Sequence, residues 1–127
     1  MYLLDTNIVI YYLKAALPAK AMQLLHTIVD EQPMLSVITK IEVLGFIIPN
    51  KEEQDITTLF VQAADIINLD DEIVAQTIAL RKQIHIKLPD AIIAATAIVY
   101  NLTLLTRNTA DFTKITNLKL MDPSLIS

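Results

Sequence analysis

The sequence predicts an α/β protein with three α/β/α layers around a parallel sheet of four to five strands. Short apolar runs recur along it: Tyr2-Leu3-Leu4, Met34-Leu35-Ser36-Val37-Ile38, Ile66-Ile67-Asn68-Leu69, Thr103-Leu104-Leu105-Thr106 and Leu118-Lys119-Leu120-Met121. Between them, longer segments carry apolar residues at helical spacing. Strands alternating with helices in this way give a parallel sheet with right-handed crossovers. The 127 residues suit one domain, residues 1–127, large enough to bury a core.

The elements follow in order. Tyr2-Leu3-Leu4 is a buried strand that ends abruptly in Asp5-Thr6-Asn7, and Ile8 to Lys14 resumes as a short helix. Pro18 opens a second helix through Glu31, where proline is tolerated in the first turn. His26 falls on its polar side. Gln32-Pro33 ends it, because a residue before proline leaves the α region. After the second strand, Thr39-Lys40-Ile41-Glu42 has the spacing of a capping box, and the helix is expected to run past Gly45 towards Ile48. Asn50 and Glu53 make a second cap, for a helix from Lys51 to Ala64. Asp70-Asp71-Glu72 places negative charge where a helix dipole favours it. The helix it opens turns Ile73, Thr77, Leu80 and Ile84 to one face, with Val74 and Ile78 beside them. Arg81, Lys82, His85 and Lys87 crowd its end and read first as an ordinary charged terminus. Leu88-Pro89-Asp90 begins a helix, Ala91 to Tyr100, that is apolar all round and therefore central. Arg107 to Phe112 is a polar loop or short helix.

Composition narrows the function. Apolar residues make up 54% and the mean hydropathy is +0.48, high enough to expect a partner or a second copy over some apolar surface. The longest uncharged run, Ala91 to Thr106, falls short of the roughly 18 residues of a membrane span. The opening stretch lacks the basic start of a secretory signal and carries Asp5. With no cysteine, this is the profile of a cytoplasmic protein without disulfides or thiolate metal sites. A net charge of −4 argues against a simple electrostatic nucleic-acid binder, but not against an enzyme whose carboxylates are neutralised by a cation.

Placed on this map, the acids converge. Asp5, Glu42 and the Asn108–Asp111 segment each follow a strand, so they lie at the carboxyl edge of the sheet, where open α/β sheets bind ligands. Asp90 reaches the same edge because its helix runs antiparallel to the strands. Each acid singly has an ordinary explanation, as a cap, a dipole partner or a turn residue. Together they would repel one another and raise each other's pKa. A hard divalent cation removes that penalty, and Mg²⁺ needs only a few carboxylates because it keeps several waters. His26 and His85 offer no zinc set.

Leu4-Asp5-Thr6-Asn7, the Glu42 helix after Leu35-Ser36-Val37-Ile38-Thr39, the stretch Pro89-Asp90-Ala91-Ile92-Ile93-Ala94-Ala95-Thr96-Ala97, and Leu105-Thr106-Arg107-Asn108 together resemble PIN-domain ribonucleases. The nearest likeness is to VapC-type toxins of bacterial toxin–antitoxin pairs, over essentially the whole chain. The resemblance implies a Mg²⁺- or Mn²⁺-dependent endoribonuclease, dimeric and silenced by a small VapB-type antitoxin. By position it makes Asp5, Glu42 and Asp90 the metal-binding acids, with Asp111, three residues past the family's fourth position, able to substitute there directly or through a water. Many relatives have Asp where this chain has Asn108, so either Asn108 or Asp111 completes the site. Thr6, Asn7 and Thr106 support it, and Arg107 and Lys40, with Lys14, are placed to hold the RNA backbone.

Three other readings share features with this one. They are a PIN nuclease outside toxin–antitoxin systems, a non-catalytic binding module on the same fold, and a phosphoacceptor or phosphatase, whose D-x-D signature Asp5-Thr6-Asn7 lacks. The helices Pro18–Glu31 and Lys51–Ala64 are expected to form a groove for an amphipathic antitoxin helix. Phe46, Ile47, Ile48 and Phe60 are its candidate lining, or a dimer contact.

Overall fold

A computed structural model of the protein describes residues 1–126. Five strands, β1 (Tyr2–Leu4), β2 (Met34–Ser36), β3 (Asp65–Ile67), β4 (Thr103–Leu105) and β5 (Lys119–Met121), form an all-parallel sheet in the order β3-β2-β1-β4-β5. The chain leaves β1 for β2 and β3 on one side, then returns to β4 and β5 on the other. That reversal beside β1 makes the switch point at which such sheets bind ligands.

Six helices cover the sheet: α1 (Thr6–Leu13), α2 (Ala19–Glu31), α3 (Val37–Gly45), α4 (Lys51–Ala63), α5 (Asp71–Gln83) and α6 (Leu88–Val99). Successive strand residues point to opposite faces, and this divides the core in two. Leu3, Ile67 and Leu104 pack with Ile73 and Leu80 of α5 and with the buried residues of α6. Leu4, Leu35 and Leu105 pack on the other face with Ile8 and Val9 of α1, Leu25 and Ile28 of α2, Val43 of α3 and Val61 of α4. The two faces are the reason the strands read as continuous apolar runs. From Ala91 to Ala97 every residue of α6 is buried, as an all-apolar helix must be. Among the described residues no helix is long and apolar enough to cross a membrane.

Several boundaries differ from the sequence expectation. Helix α1 starts at Thr6, not Ile8, because Asp5 caps it. Helix α3 starts at Val37, with the Ser36 hydroxyl accepting from the Ile38 amide at 3.1 Å. The expected Thr39–Glu42 capping box is therefore not a cap; the strand ends two residues earlier and Ser36 takes that role. Helix α3 also stops at Gly45, since Phe46 turns to extended backbone ahead of Pro49. The Asn50 cap on Glu53 is present at 3.0 Å. Val74 and Ile78, expected near the buried face of α5, are exposed.

Ala15, in the α1–α2 link, has φ of 52°, a left-handed conformation that costs a residue with a Cβ about 1 kcal/mol. Ala15→Gly is expected to stabilise the protein by roughly that amount, less glycine's added unfolded-state freedom, read as a rise in urea midpoint. An unchanged or lower midpoint would contradict it.

Candidate active site

The site is built from residues one step past the ends of β1 and β4. Register pairs Leu4 with Leu105, so Asp5 and Thr106 stand side by side. The Asp5 amide continues the ladder to Leu105 O at 2.9 Å, and the Thr106 amide reaches Met121 O at 3.0 Å. Asp5 is only 5% exposed and Thr106 is fully buried, so their polar atoms need partners.

They have them. Asp5 Oδ1 accepts from the Thr6 amide at 2.9 Å, while Oδ2 accepts from Thr106 Oγ1 at 2.8 Å and from Asn7 Nδ2 at 3.1 Å. The Thr106 hydroxyl also accepts from Asn7 Nδ2 at 3.1 Å and from the Asn108 amide at 3.0 Å. One donation and two acceptances exhaust a hydroxyl. Asn7 Oδ1 accepts from the Arg107 amide at 3.1 Å, which ties the loop after β4 to α1. Asp5 is thus both the helix cap and the most constrained carboxylate. Its Oδ2 has both lone pairs taken, and Oδ1 keeps one free.

Thr6 carries the link to Glu42. Its hydroxyl donates to Glu42 Oε1 at 2.7 Å and lies 3.2 Å from Thr39 Oγ1. Thr39 is buried beneath this contact. Sequence reasoning missed Thr39 as a site residue because it fitted a cap; its place after the Ser36 cap was the available signal. Asp90 sits half-buried in the first turn of α6. Asp111 ends a 3₁₀ turn, Thr109–Asp111, and accepts a short hydrogen bond from the Asn108 side-chain amide. The two candidates for the fourth position are therefore a bonded pair.

The charges of these acids reach one another. Burial raises the pKa of Asp90, and the carboxylates of Asp5, Asp111 and Glu42 raise it further, with Lys87 opposing them. Burial also raises Asp5; the bonds from Thr106, Thr6 and Asn7 work against it, and Glu42 adds to it. Lys87 is the basic group nearest in effect, although it reads in sequence as one of several cations at a helix end. Lys40 is exposed, and Lys14 lines the apolar groove described below.

Among the described residues no three acidic or histidine side chains stand as a ready-made metal cage. The donor set nevertheless fits a hard cation. It is all oxygen, it includes a free lone pair on a fixed carboxylate, and its like charges penalise one another. Mg²⁺ tolerates few protein ligands because it retains waters.

An apolar groove of about 320 Å³ lies between α1, the α3–α4 link and α4, lined by Ile10, Leu13, Val43, Phe46, Ile48 and Ile56 among others. Ile47 and Phe46 at its rim are 92% and 58% exposed. Phe46, Ile47 and Ile48 line it as expected, but α2 and Phe60 do not. Helix α2 lies flat on the sheet through Ala21, Leu25 and Ile28, and Phe60 packs against Tyr12, ring centroids 6.1 Å apart. Because α3 stops at Gly45, the extended link carries Phe46 to Ile48 across the gap beside α1.

A parallel sheet whose switch point carries Asp5 in a Thr–Asn network, with Glu42 bonded to Thr6 and with Asp90 raised by the charges of Asp5, Asp111 and Glu42, defines an α/β protein with an acidic edge. The chain belongs to the PIN domain family, whose model matches residues 2–118. It resembles VapC-type toxins of toxin–antitoxin complexes. A chain of a toxin–antitoxin complex from Klebsiella pneumoniae is 34% identical with a TM-score of 0.74, over 97% of this chain and 98% of that one. A chain of VapBC2 from Rickettsia felis, solved bound to a DNA fragment from their promoter, is 26% identical with a TM-score of 0.79, over 94% and 96%. FitAcB from Neisseria gonorrhoeae gives 25% and 0.79, over 99% and 100%. No curated protein sequence matches the chain significantly.

Proposed function

We propose that the chain is a Mg²⁺-dependent endoribonuclease, with Mn²⁺ as an alternative cation, and the toxin of a type II toxin–antitoxin pair acting in the cytoplasm. The observation that carries this is the Asp5 carboxylate. It is held by three donors at the switch point with one lone pair free, and other acids act on its neighbour Asp90.

Asp5 and Asp90 hold the cation. Glu42 ligates it or takes the proton of the attacking water. Asp111, tethered by Asn108, supplies the fourth acid. Bound there, the cation supplies Lewis acidity, which makes a water acidic enough to attack near neutral pH and offsets charge on the phosphodiester. Thr6, Asn7 and Thr106 orient the acids. Arg107 and Lys40 meet the RNA backbone, where cations position nucleic acid without reading its sequence.

The partner-free chain should cleave structured RNA with Mg²⁺ or Mn²⁺ and lose that activity in EDTA. Cleavage that ignores EDTA would sink the reading. Asn108 is the feature that favours a non-catalytic module, but its amide is bonded to a carboxylate, so the acidity of that position is kept.

The relatives crystallised in toxin–antitoxin complexes support a VapB-type antitoxin as partner. The groove beside α1 is its docking place, being apolar and open enough for a helix or an extended segment. Phe46→Asp should place a charge in that groove and stop a co-expressed VapB-type antitoxin from co-purifying with the chain. Undiminished co-purification would move the docking site elsewhere. A homodimer completes the reading; the exposed Val74 and Ile78 of α5 and Ile41 of α3 supply further apolar surface for a second copy.

A further inference from the structure

One contact beside the acids has no part in holding them. The Arg107 guanidinium carbon lies 4.8 Å from the centroid of the Tyr11 ring. Tyr11 is four residues after Asn7 on α1, so both side chains lie on one face of the helix, one turn apart. Asn7 bonds to Asp5 and to the Arg107 amide. The ring and the guanidinium are therefore registered to the carboxylate through two short connections. Both side chains are exposed, Tyr11 by 38%.

Core packing does not account for the pair. Tyr11 belongs to neither buried cluster, whereas its neighbour Tyr12 packs into one of them. Among the described residues Arg107 makes no ion pair, the one within 4.0 Å being Lys51–Asp55. An exposed aromatic ring with a cation over it, one helical turn from the residue that holds Asp5, is an arrangement that suits unpaired nucleotides. Bases stack on aromatic rings and on Arg planes, and the cation tracks the phosphate.

We infer that Tyr11 is a substrate-positioning residue that stacks an unpaired base next to the scissile phosphate, with Arg107 covering the ring until RNA enters. This rests on the nuclease reading above and adds to it the residue that positions the substrate. A duplex, with its bases already stacked, offers Tyr11 no free face. The pair comes from opposite ends of the chain, and Asn7 ties the Arg107 backbone to the helix that carries Tyr11.

The test uses the full chain carrying Asp90→Asn, so that RNA is bound and not cut. The probe is a labelled single-stranded RNA of mixed sequence, read by fluorescence anisotropy beside a duplex of equal length. Tyr11→Leu is expected to weaken single-strand binding by about ten-fold, within the span measured for losing one base–aromatic stack, and to leave duplex binding unchanged. Tyr11→Phe keeps the ring and should recover most of the loss. In the cleaving protein the same Tyr11→Leu change should raise KM more than it lowers kcat. Equal binding by the Leu and Tyr proteins, or equal losses on single strand and duplex, would overturn the inference while metal-dependent cleavage by the unsubstituted chain still stood. Failure of that chain to cleave any RNA would remove the nuclease reading and this inference with it. Melting temperatures of the variants separate lost stacking from lost folding.

Discussion

Asp90→Asn is expected to cut RNA cleavage by at least on the order of 100-fold, since even the outer partners of metal ligands are worth ten- to hundred-fold. The same substitution should raise the melting temperature of the metal-free protein at neutral pH. The sign follows from the direction of the shift. Burial and the carboxylates of Asp5, Asp111 and Glu42 raise the folded pKa of Asp90. A raised acid contributes stability that is present below its unfolded pKa and lost as pH rises through the folded one. At neutral pH the wild-type protein carries that penalty, and Asn does not. The difference in melting temperature between variant and parent should therefore grow as pH rises from the ordinary aspartate range through the raised value, then level off. Adding Mn²⁺ should reverse the order, stabilising the parent and not the variant. A variant that melts below the parent at every pH without metal would contradict the placement of Asp90 among like charges.

Thr106→Val is the second large effect. Valine keeps the shape and removes one donation and two acceptances. It leaves one amide hydrogen of Asn7 and the backbone amide of Asn108 without their partner at part-buried bonds, and takes one donor from the buried Asp5. Breaking a network of this kind is expected to cost about 3 kcal/mol, measured by urea unfolding. Cleavage should fall on the order of 10- to 100-fold, as it does for partners that orient metal ligands. Because the Thr106 bond is the largest influence lowering the Asp5 pKa, its loss should also move the acid limb of the pH–rate profile upward. Thr106→Ser, which restores the hydroxyl, should bring that limb back; a profile unmoved in the Val protein would mean that Thr106 supports the fold and not the carboxylate.

The parts legible in the sequence are those fixed by local pattern. Tyr2-Leu3-Leu4 announces a strand because a parallel strand is covered on both faces. Leu3 and Leu4 do enter opposite cores. The uninterrupted apolarity of Ala91 to Ala97 announces a central helix, and Asp90 at its start is brought near the other acids for that reason. The Asn50 cap was equally plain. What stayed hidden depends on partners distant in sequence. Thr39–Glu42 has the local signature of a capping box. Where β2 ends, however, is set by pairing of Ser36 with Ile67, which gives the cap to Ser36 and turns Thr39 towards Thr6. The groove was expected between α2 and α4 on composition alone. Its real wall is α1, because Gly45 ends α3 and sends Phe46 to Ile48 the other way. Tyr11 and Arg107 meet from opposite ends of the chain, and no periodicity records that. Lys87 acts on Asp90 from within a run of cations that looked like an ordinary helix end.

Asp5, Glu42, Asp90 and Asp111 are proposed above as one divalent-cation site. Calorimetric titration of Mn²⁺ into the metal-free protein at pH 7, beside the Asp5→Asn and Asp90→Asn proteins, tests it most directly. The parent should bind saturably, and more weakly as the pH is lowered through the raised pKa values of Asp5 and Asp90, because those carboxyls must ionise to ligate. Both variants should lose that binding. Binding of equal strength in all three proteins would contradict it.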